Sequence, residues 1–342
     1  MNEIAPNFPV GIIHRSFHEV YLNDQLIKLL GITQEMFATN TQVEWDLGHF
    51  FEGGWLALVP YISPFLLNPT KYTKGFETMI QLIQKNGITT VGDTGFPNAL
   101  FDTEFDLLSK EMQKNPPFEF YIIPSGASIY SSQGSNEEAK KFIEMLSGTY
   151  NTENLRFLPK QVKLMGDGAI YSQLMQMIDN YTDGHHGEWI TPLDLLQEQI
   201  SLYWDSDYKI HLHSNGDLGI QKVLDFLKED QKRRPRINHR FTLHHMGYFT
   251  DVQAQEVADM GVEASVNPYY LWALADKYST HGLGKEIAEN LVRIKSLTAR
   301  NVPVSFHSDY PMAPMEPLTL AWTTVNRITS ENSKFSQVRY ST

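Results

Sequence analysis

There is no cysteine among the 342 residues, which excludes disulfides and thiolate metal ligands. Any metal must be held by His, Asp, Glu or a modified Lys. Long hydrophobic runs are missing too. The most apolar stretch, Trp55 to Leu67, is short and is interrupted by Pro60 and Pro64, so it cannot span a bilayer. Met1 to Val10 lacks the basic-then-apolar pattern of a leader. Positive charge is scarce. Against 40 Asp and Glu stand 28 Lys and Arg, leaving a formal net charge of −12. A chain of that sign has no electrostatic attraction to phosphate backbones. The expectation is a cytoplasmic protein with neither nucleic acid nor membrane as a partner. Self-association into a homo-oligomer is left open.

Histidine is plentiful, with twelve residues, and apolar side chains make up 42% of the chain, enough for a sizeable core. The length exceeds that of a usual domain but lies within reach of one α/β barrel. From residue 87 onward, short apolar runs alternate with helical patterns. The runs are 87–93, 118–123, 162–165, 210–213, 242–245, 262–266 and 304–306. Between them lie helical stretches at Asn136 to Leu146, at Leu195 to Tyr203 behind the capping-box pattern Thr191-Pro192-Leu193-Asp194, at Leu218 to Lys228, at Thr250 to Met260 before Gly261, and at Lys285 to Ala299. Strands separated by helices imply parallel pairing. Seven is one short of a closed eight-stranded barrel, and an open sheet is the rival. Residues 1–86 read mainly as helix and loop, with helical patterns at Val20 to Leu30 and Lys71 to Lys85 and one short strand candidate at Val10 to Ile13.

Polar residues stand at nearly every strand end. Asp93 closes the first run. Lys163 lies in Val162-Lys163-Leu164-Met165, His211 and His213 lie in the next, and His244 and His245 follow. Asn267 ends the sixth run, and His307-Ser308-Asp309 end the last. Ligands of parallel α/β folds bind at the carboxyl ends of strands. A metal held by imidazoles and a carboxylate brings the pKa of bound water towards ~7, and a nearby carboxylate can move the proton. Each residue also has a plainer reading. Lys163 alone suits a salt bridge. His211 and His213 share a strand face, giving two ligands or, more in keeping with a strand, one ligand and one packed core residue. His244 and His245 point to opposite faces, so at most one of them enters a barrel, and His245 rather than His244 is expected to face the interior with His213. Asp167 and Asp217 follow glycine and suit turns, and Asp309 suits a cap for the loop at Pro311. Trp55, Trp272 and Tyr270 could line an apolar pocket, although aromatics of this kind more often serve as core.

These blocks resemble the amidohydrolase superfamily, and within it the amidohydrolase family 3 group that includes N-substituted formamide deformylases. The likeness rests on His14-Arg15-Ser16-Phe17-His18 with Asn23, on Val162-Lys163-Leu164 with Asp167-Gly168, on His213-Ser214-Asn215-Gly216-Asp217, on Leu243-His244-His245, and on Ser308-Asp309-Tyr310-Pro311. The resemblance implies a (β/α)8 TIM-type barrel with a divalent metal at the strand ends, zinc the first candidate, as one ion or two. It implies that Lys163, carboxylated, bridges two metals, that His213 and His245 bind one of them, and that Asp309 binds the other and shuttles the proton. His18 and Asn267 would face a small-molecule amide substrate.

The same resemblance sets an expectation of incompleteness. The family's first strand, with Asp-x-His-x-His, is expected before Met1, and its small β-sandwich has no counterpart before Thr342. On this reading residues 1–342 form one incomplete barrel domain, with 1–86 following the absent strand and 87–330 supplying strands two to eight. Its hydrolysis of carbon–nitrogen bonds would be weak. Two rival functions remain open. One is a catalytically silent protein on the same scaffold, and the other is a metal-independent α/β enzyme using Asp309 and His307 as an acid–base pair.

Overall fold

The computed structural model describes residues 1–334; the last eight residues of the expected 1–342 domain lie outside the described residues. Residues 1–86 hold β1 (Gly11–Ile13), β2 (Glu19–Leu22), α1 (Asp24–Leu30), β3 (Val43–Glu44), β4 (His49–Phe51), α2 (Gly53–Leu66) and α3 (Pro69–Lys85). The four strands pair antiparallel in the order β1-β2-β4-β3. This corrects the expectation of a mainly helical and loop region. Strands of two to four residues are too short to display a period-two alternation. The helix expected from Val20 begins only at Asp24. Asn23 follows β2 and caps α1, its Oδ1 accepting from the Leu26 N–H at 3.0 Å. Behind the sheet, Val20, Phe50, Leu58 and Phe37 form a small core of their own.

The rest of the described chain alternates strand and helix. In order come β5 (Thr90–Phe96), α4 (Phe101–Met112), β6 (Glu119–Pro124), α5 (Gly126–Gln133), α6 (Asn136–Thr149), β7 (Leu155–Phe157), β8 (Gln161–Met165), α7 (Leu193–Asp205), β9 (Lys209–Ser214), α8 (Asp217–Arg233), β10 (Thr242–His245), α9 (Asp251–Asp259), β11 (Glu263–Val266), α10 (Tyr269–Thr280), α11 (Lys285–Glu289), α12 (Ile294–Thr298), β12 (Val304–Phe306) and α13 (Pro317–Asn326). Every pair of these strands is parallel. The pairings run β5-β6-β7 and β8-β9-β10-β11-β12, and a parallel bridge between Ser125 and Lys163 joins the two sets. β7 takes the first half of β6 and β8 meets its end, so the two short strands fill one place in the wall. The result is an α/β wall of TIM-barrel type. Among the described residues, β5 and β12 each pair on one side only and are not bonded to each other. No helix of the described residues is long and apolar enough to cross a membrane.

Several local expectations change. β5 runs past Asp93 to Phe96, so Asp93 lies mid-strand rather than at its end. The run 285–299 breaks into α11 and α12 around Val292, whose φ is 49°. α7 starts at Leu193 without any side-chain cap from the expected box. α8 follows its pattern: Ile220, Val223, Leu224 and Leu227 are all fully buried against the wall.

Candidate active site

The parallel register stacks side chains in rows on the inner face of the wall. Lys163, His211, Thr242 and Glu263 form one row, and Met165, His213, His244, Ser265 and Ser305 form the next. This inner face is polar, whereas the intervening residues Val162, Leu164, Ile210, Leu212 and Leu243 are buried against the helices at 1% exposure or less. The wall therefore carries its apolar load on the outside and leaves the inside for chemistry.

By alternation, His245 should point with the outer set. Instead its φ is 77° and that of Met246 is 46°, a backbone region costly for side chains of this size. The turn brings the ring inward, where its centroid lies 4.3 Å from that of His213. His244 keeps its place in the inner row and bonds downward, its Nε2 lying 3.0 Å from His211 Nδ1. The expectation that only one of the two enters is thus corrected: both do, one by alternation and one by a strained backbone. His211 in turn meets Gln161 Oε1 at 2.9 Å, which makes it a packed partner below the mouth.

Around His213 and His245 the mouth is crowded. His213 Nε2 faces Asn215 Nδ2 at 2.9 Å. His245 Nδ1 lies 3.1 Å from Tyr270 Oη, 3.1 Å from His307 Nε2 and 3.9 Å from Asp309 Oδ2. His18 comes in from the antiparallel sheet, its ring 5.2 Å from that of His213. Its Nδ1 meets Glu52 Oε2 at 2.6 Å, and Glu52 Oε1 accepts from the Ala169 N–H at 2.9 Å. Arg15 closes the opposite rim. Its Nε and Nη2 donate to the Met312 carbonyl at 3.1 and 2.7 Å, and its guanidinium carbon lies 5.6 Å from the Tyr171 ring centre and 5.8 Å from that of Tyr269.

The electrostatics follow from burial. Lys163 is 4% exposed, and its Nζ has no hydrogen-bond partner. Burial brings its pKa down to about 7, with Asp309 pulling the other way. His213 and His245 are driven well below their usual range by burial, reinforced by neighbouring His and Lys groups. The neutral imidazoles that metal ligation requires are therefore the favoured forms, and near neutral pH a substantial share of Lys163 is the uncharged amine that carboxylation requires. Burial also lowers His18, but the Glu52 carboxylate outweighs it and the pKa ends raised.

Of the residues singled out in the sequence, His213, His245, Asp309 and His18 meet at the mouth, while Lys163 sits in the row below, within electrostatic reach of His213, His245 and Asp309. Asn267 is fully buried. Its Oδ1 accepts from the Tyr269 N–H at 3.1 Å and its Nδ2 donates to the Ser308 carbonyl at 3.1 Å, so it braces the loop that carries Asp309. Asp167 shapes a turn, accepting from the N–H groups of Asn215, Gly216 and Gln176 at 2.8 to 2.9 Å. Trp55 is core, whereas Tyr270 contributes its hydroxyl to the site. Glu52, Tyr171 and the packing role of His244 have no signal in the sequence. His307 had only its place beside Asp309. Among the described residues, no three His, Asp or Glu side chains stand close enough to hold a metal by themselves.

Residues 1–340 match the model of the amidohydrolase family. The chain belongs to that family. It is 21% identical to the N-substituted formamide deformylase of Arthrobacter pascens over 341 residues, covering 96% of this chain and 60% of that protein. An uncharacterised metal-dependent hydrolase of Pyrococcus horikoshii superposes with a TM-score of 0.68 at 18% identity, over 95% of this chain and 61% of the other. A second one, from Pyrococcus furiosus, gives a TM-score of 0.65 at 20% identity, over 94% and 62%. At that identity the likeness is one of fold. This amidohydrolase chain spans roughly three fifths of the length of each of these relatives.

Proposed function

We propose that this chain is the barrel of a metal-dependent hydrolase that cleaves carbon–nitrogen bonds in small non-peptide amides or formamides. The observation carrying the reading is the buried, unpartnered Nζ of Lys163 within electrostatic reach of the neutral His213 and His245. A lysine amine buried to 4% exposure without a hydrogen-bond partner in the protein is costly to maintain for packing alone. An uncharged amine reacts with carbon dioxide, forming an N–C bond and releasing one proton. The new carboxylate would add the oxygen donors that the histidine pair lacks. His213 and His245 would hold the ion, with the carboxylated Lys163 as the third ligand and Asp309 at the rim; this set suits one divalent metal, zinc first. When bound, the metal supplies a Lewis acid that makes water nucleophilic near neutral pH. Asp309, half exposed at the mouth, would take the proton from that water and return it to the leaving amine. His18, held by Glu52, would face the substrate carbonyl, and Asn267 would act from behind by holding the Asp309 loop. The proposed setting is the cytoplasm, with neither nucleic acid nor membrane as a partner.

The test is to purify the protein with zinc and bicarbonate, measure bound metal, and assay N-formyl and N-acyl amines. The reading expects about one metal per chain, lost in Lys163→Ala, and a slow turnover abolished by chelator and by Asp309→Asn. Turnover that survives both chelation and Lys163→Ala would overturn it. A second reading, a catalytically silent barrel, is favoured by the lack of three His, Asp or Glu donors in holding range among the described residues. It expects no metal uptake with or without bicarbonate.

A further inference from the structure

His307 is tied at both ring nitrogens. Its Nδ1 lies 2.9 Å from Ser265 Oγ and its Nε2 lies 3.1 Å from His245 Nδ1. The two rings meet edge to face, at 86° with centroids 4.9 Å apart. On its other side the His307 ring lies 5.8 Å from that of His244, tilted by 28°, so it wedges between the consecutive histidines of β10. We propose that His307, anchored by Ser265, is a positioning residue that fixes the ring of His245 so that its Nε2, and not its Nδ1, is the nitrogen presented to a metal. The inference rests on the reading of His245 as a metal donor.

The argument is one of hydrogen accounting. A neutral imidazole carries one N–H, and the partner of one nitrogen decides which nitrogen keeps it. His245 Nδ1 is engaged by two protein groups, His307 Nε2 and Tyr270 Oη. Two self-consistent arrangements exist. In one, Ser265 donates to His307 Nδ1 and His307 Nε2–H donates to His245 Nδ1, which leaves the proton of His245 on Nε2. In the other, His245 Nδ1–H donates to His307 Nε2, His307 Nδ1–H donates to Ser265 Oγ, and His245 Nε2 is bare. Ser265 and Tyr270 both end in hydroxyls that rotate freely between donating and accepting. The chain therefore switches from the first arrangement to the second by moving hydrogens alone, with every heavy atom in place. His245 depends on such partners because its backbone sits at φ 77°, which turns its ring out of the alternation that orients the other side chains of β10. Partners behind a metal-ligating histidine are a general means of setting its orientation and basicity.

The test uses the full chain, zinc as probe, and the ¹⁵N shifts of the His245 ring. His307→Leu should weaken zinc binding about 10- to 100-fold and shift the His245 Nδ1 resonance towards that of a nitrogen without a partner. His307→Gln retains an acceptor for His245 and a donor for Ser265, and should recover most of the affinity. Ser265→Ala, which removes a single hydroxyl, should give a smaller loss in the same direction and keeps the test open if His307→Leu does not fold. A folded His307→Leu with wild-type affinity and unchanged ¹⁵N shifts would overturn the proposal, as would His307→Gln no better than His307→Leu. If the wild type takes up no zinc while the ¹⁵N shifts still respond to His307→Leu, the metal reading fails and the positioning role stands.

Discussion

Nδ1 of His18 lies 2.6 Å from Oε2 of Glu52, a carboxylate buried to 1% exposure on a residue with a φ of 43°. The pair joins the antiparallel sheet to the mouth of the parallel wall, since the other Glu52 oxygen accepts from the Ala169 N–H.

That pair sets an alkaline limit to stability. The His18 pKa is raised in the fold, with burial opposing and Glu52 prevailing. A raised pKa contributes stability that is complete below the unfolded value of 6.5 and is lost as pH rises through the folded value. Thermal melts of the wild type should therefore fall as pH rises above 6.5. In Glu52→Gln they should start lower and lose this part of the slope. A wild-type slope retained in Glu52→Gln would show that the ion pair is not the cause.

The remaining inner histidines act in the opposite sense. Burial depresses His211 to about 3 and His307 to about 4, and carries His213, His244 and His245 well below 6.5. A depressed pKa means the unfolded chain binds protons that the fold refuses, so stability is lost as pH falls from 6.5 towards those values. The protein should unfold in mild acid, with several protons taken up in the transition. Replacing His211 and His244 together with Gln and Leu should move the acid midpoint downward, because two of the refused protons disappear. An unmoved midpoint would place the acid sensitivity elsewhere.

Glu19 adds a third limit further into acid. Burial raises its pKa, but hydrogen bonds from His49 and Ser172 and the nearby His14 charge bring it down to about 2. Its Oε2 lies 2.8 Å from His49 Nε2 and its Oε1 lies 3.1 Å from His14 Nδ1. The stability it contributes is present above 4.5 and is lost as pH falls through about 2. Solvent at the sheet surface screens part of it, leaving on the order of 2 kcal/mol. Urea titrations of Glu19→Gln at pH 6 should show a loss of that order, against no change if the cluster is merely superficial.

Glycine substitutions should separate close packing from open helix. A Cβ on Gly216 would lie 2.0 Å from the Gln176 carbonyl oxygen, which cannot move without disturbing the Asp167 turn. Gly216→Ala should cost about 1–3 kcal/mol and weaken zinc binding through His213. A Cβ on Gly75, within α3, meets nothing within 4 Å. Gly75→Ala should instead stabilise by about 0.5–1 kcal/mol. Denaturant midpoints check both signs.

Much of this arrangement was legible in the sequence. The strands bearing Lys163 and His213, and the one leading into Asp309, show as apolar runs with polar interruptions, and their lying side by side follows from parallel pairing. The hidden parts share a physical cause: they depend on backbone geometry or on contacts distant in the chain. Alternation assigns His245 to the outer face, and only its left-handed φ reverses that. Glu52 sits in a stretch of short strands without a readable period and pairs with residues far along the chain. β7 is three residues long, less than one full alternation. Asp93 was placed at a strand end because the apolar run stops there, yet hydrogen bonding to β6 continues to Phe96.

The grip of Arg15 on the Met312 carbonyl has a consequence in time. The two residues are 297 positions apart, so the rim of the site closes through one of the longest loops the chain can form. Contacts of such separation are entropically late. On a ribosome, Arg15 emerges long before Met312 exists. The antiparallel sheet and the early strands can collapse first, while His18 waits for a mouth that the last strand completes. Refolding followed by binding of a zinc-sensitive dye should lag behind refolding followed by far-UV circular dichroism.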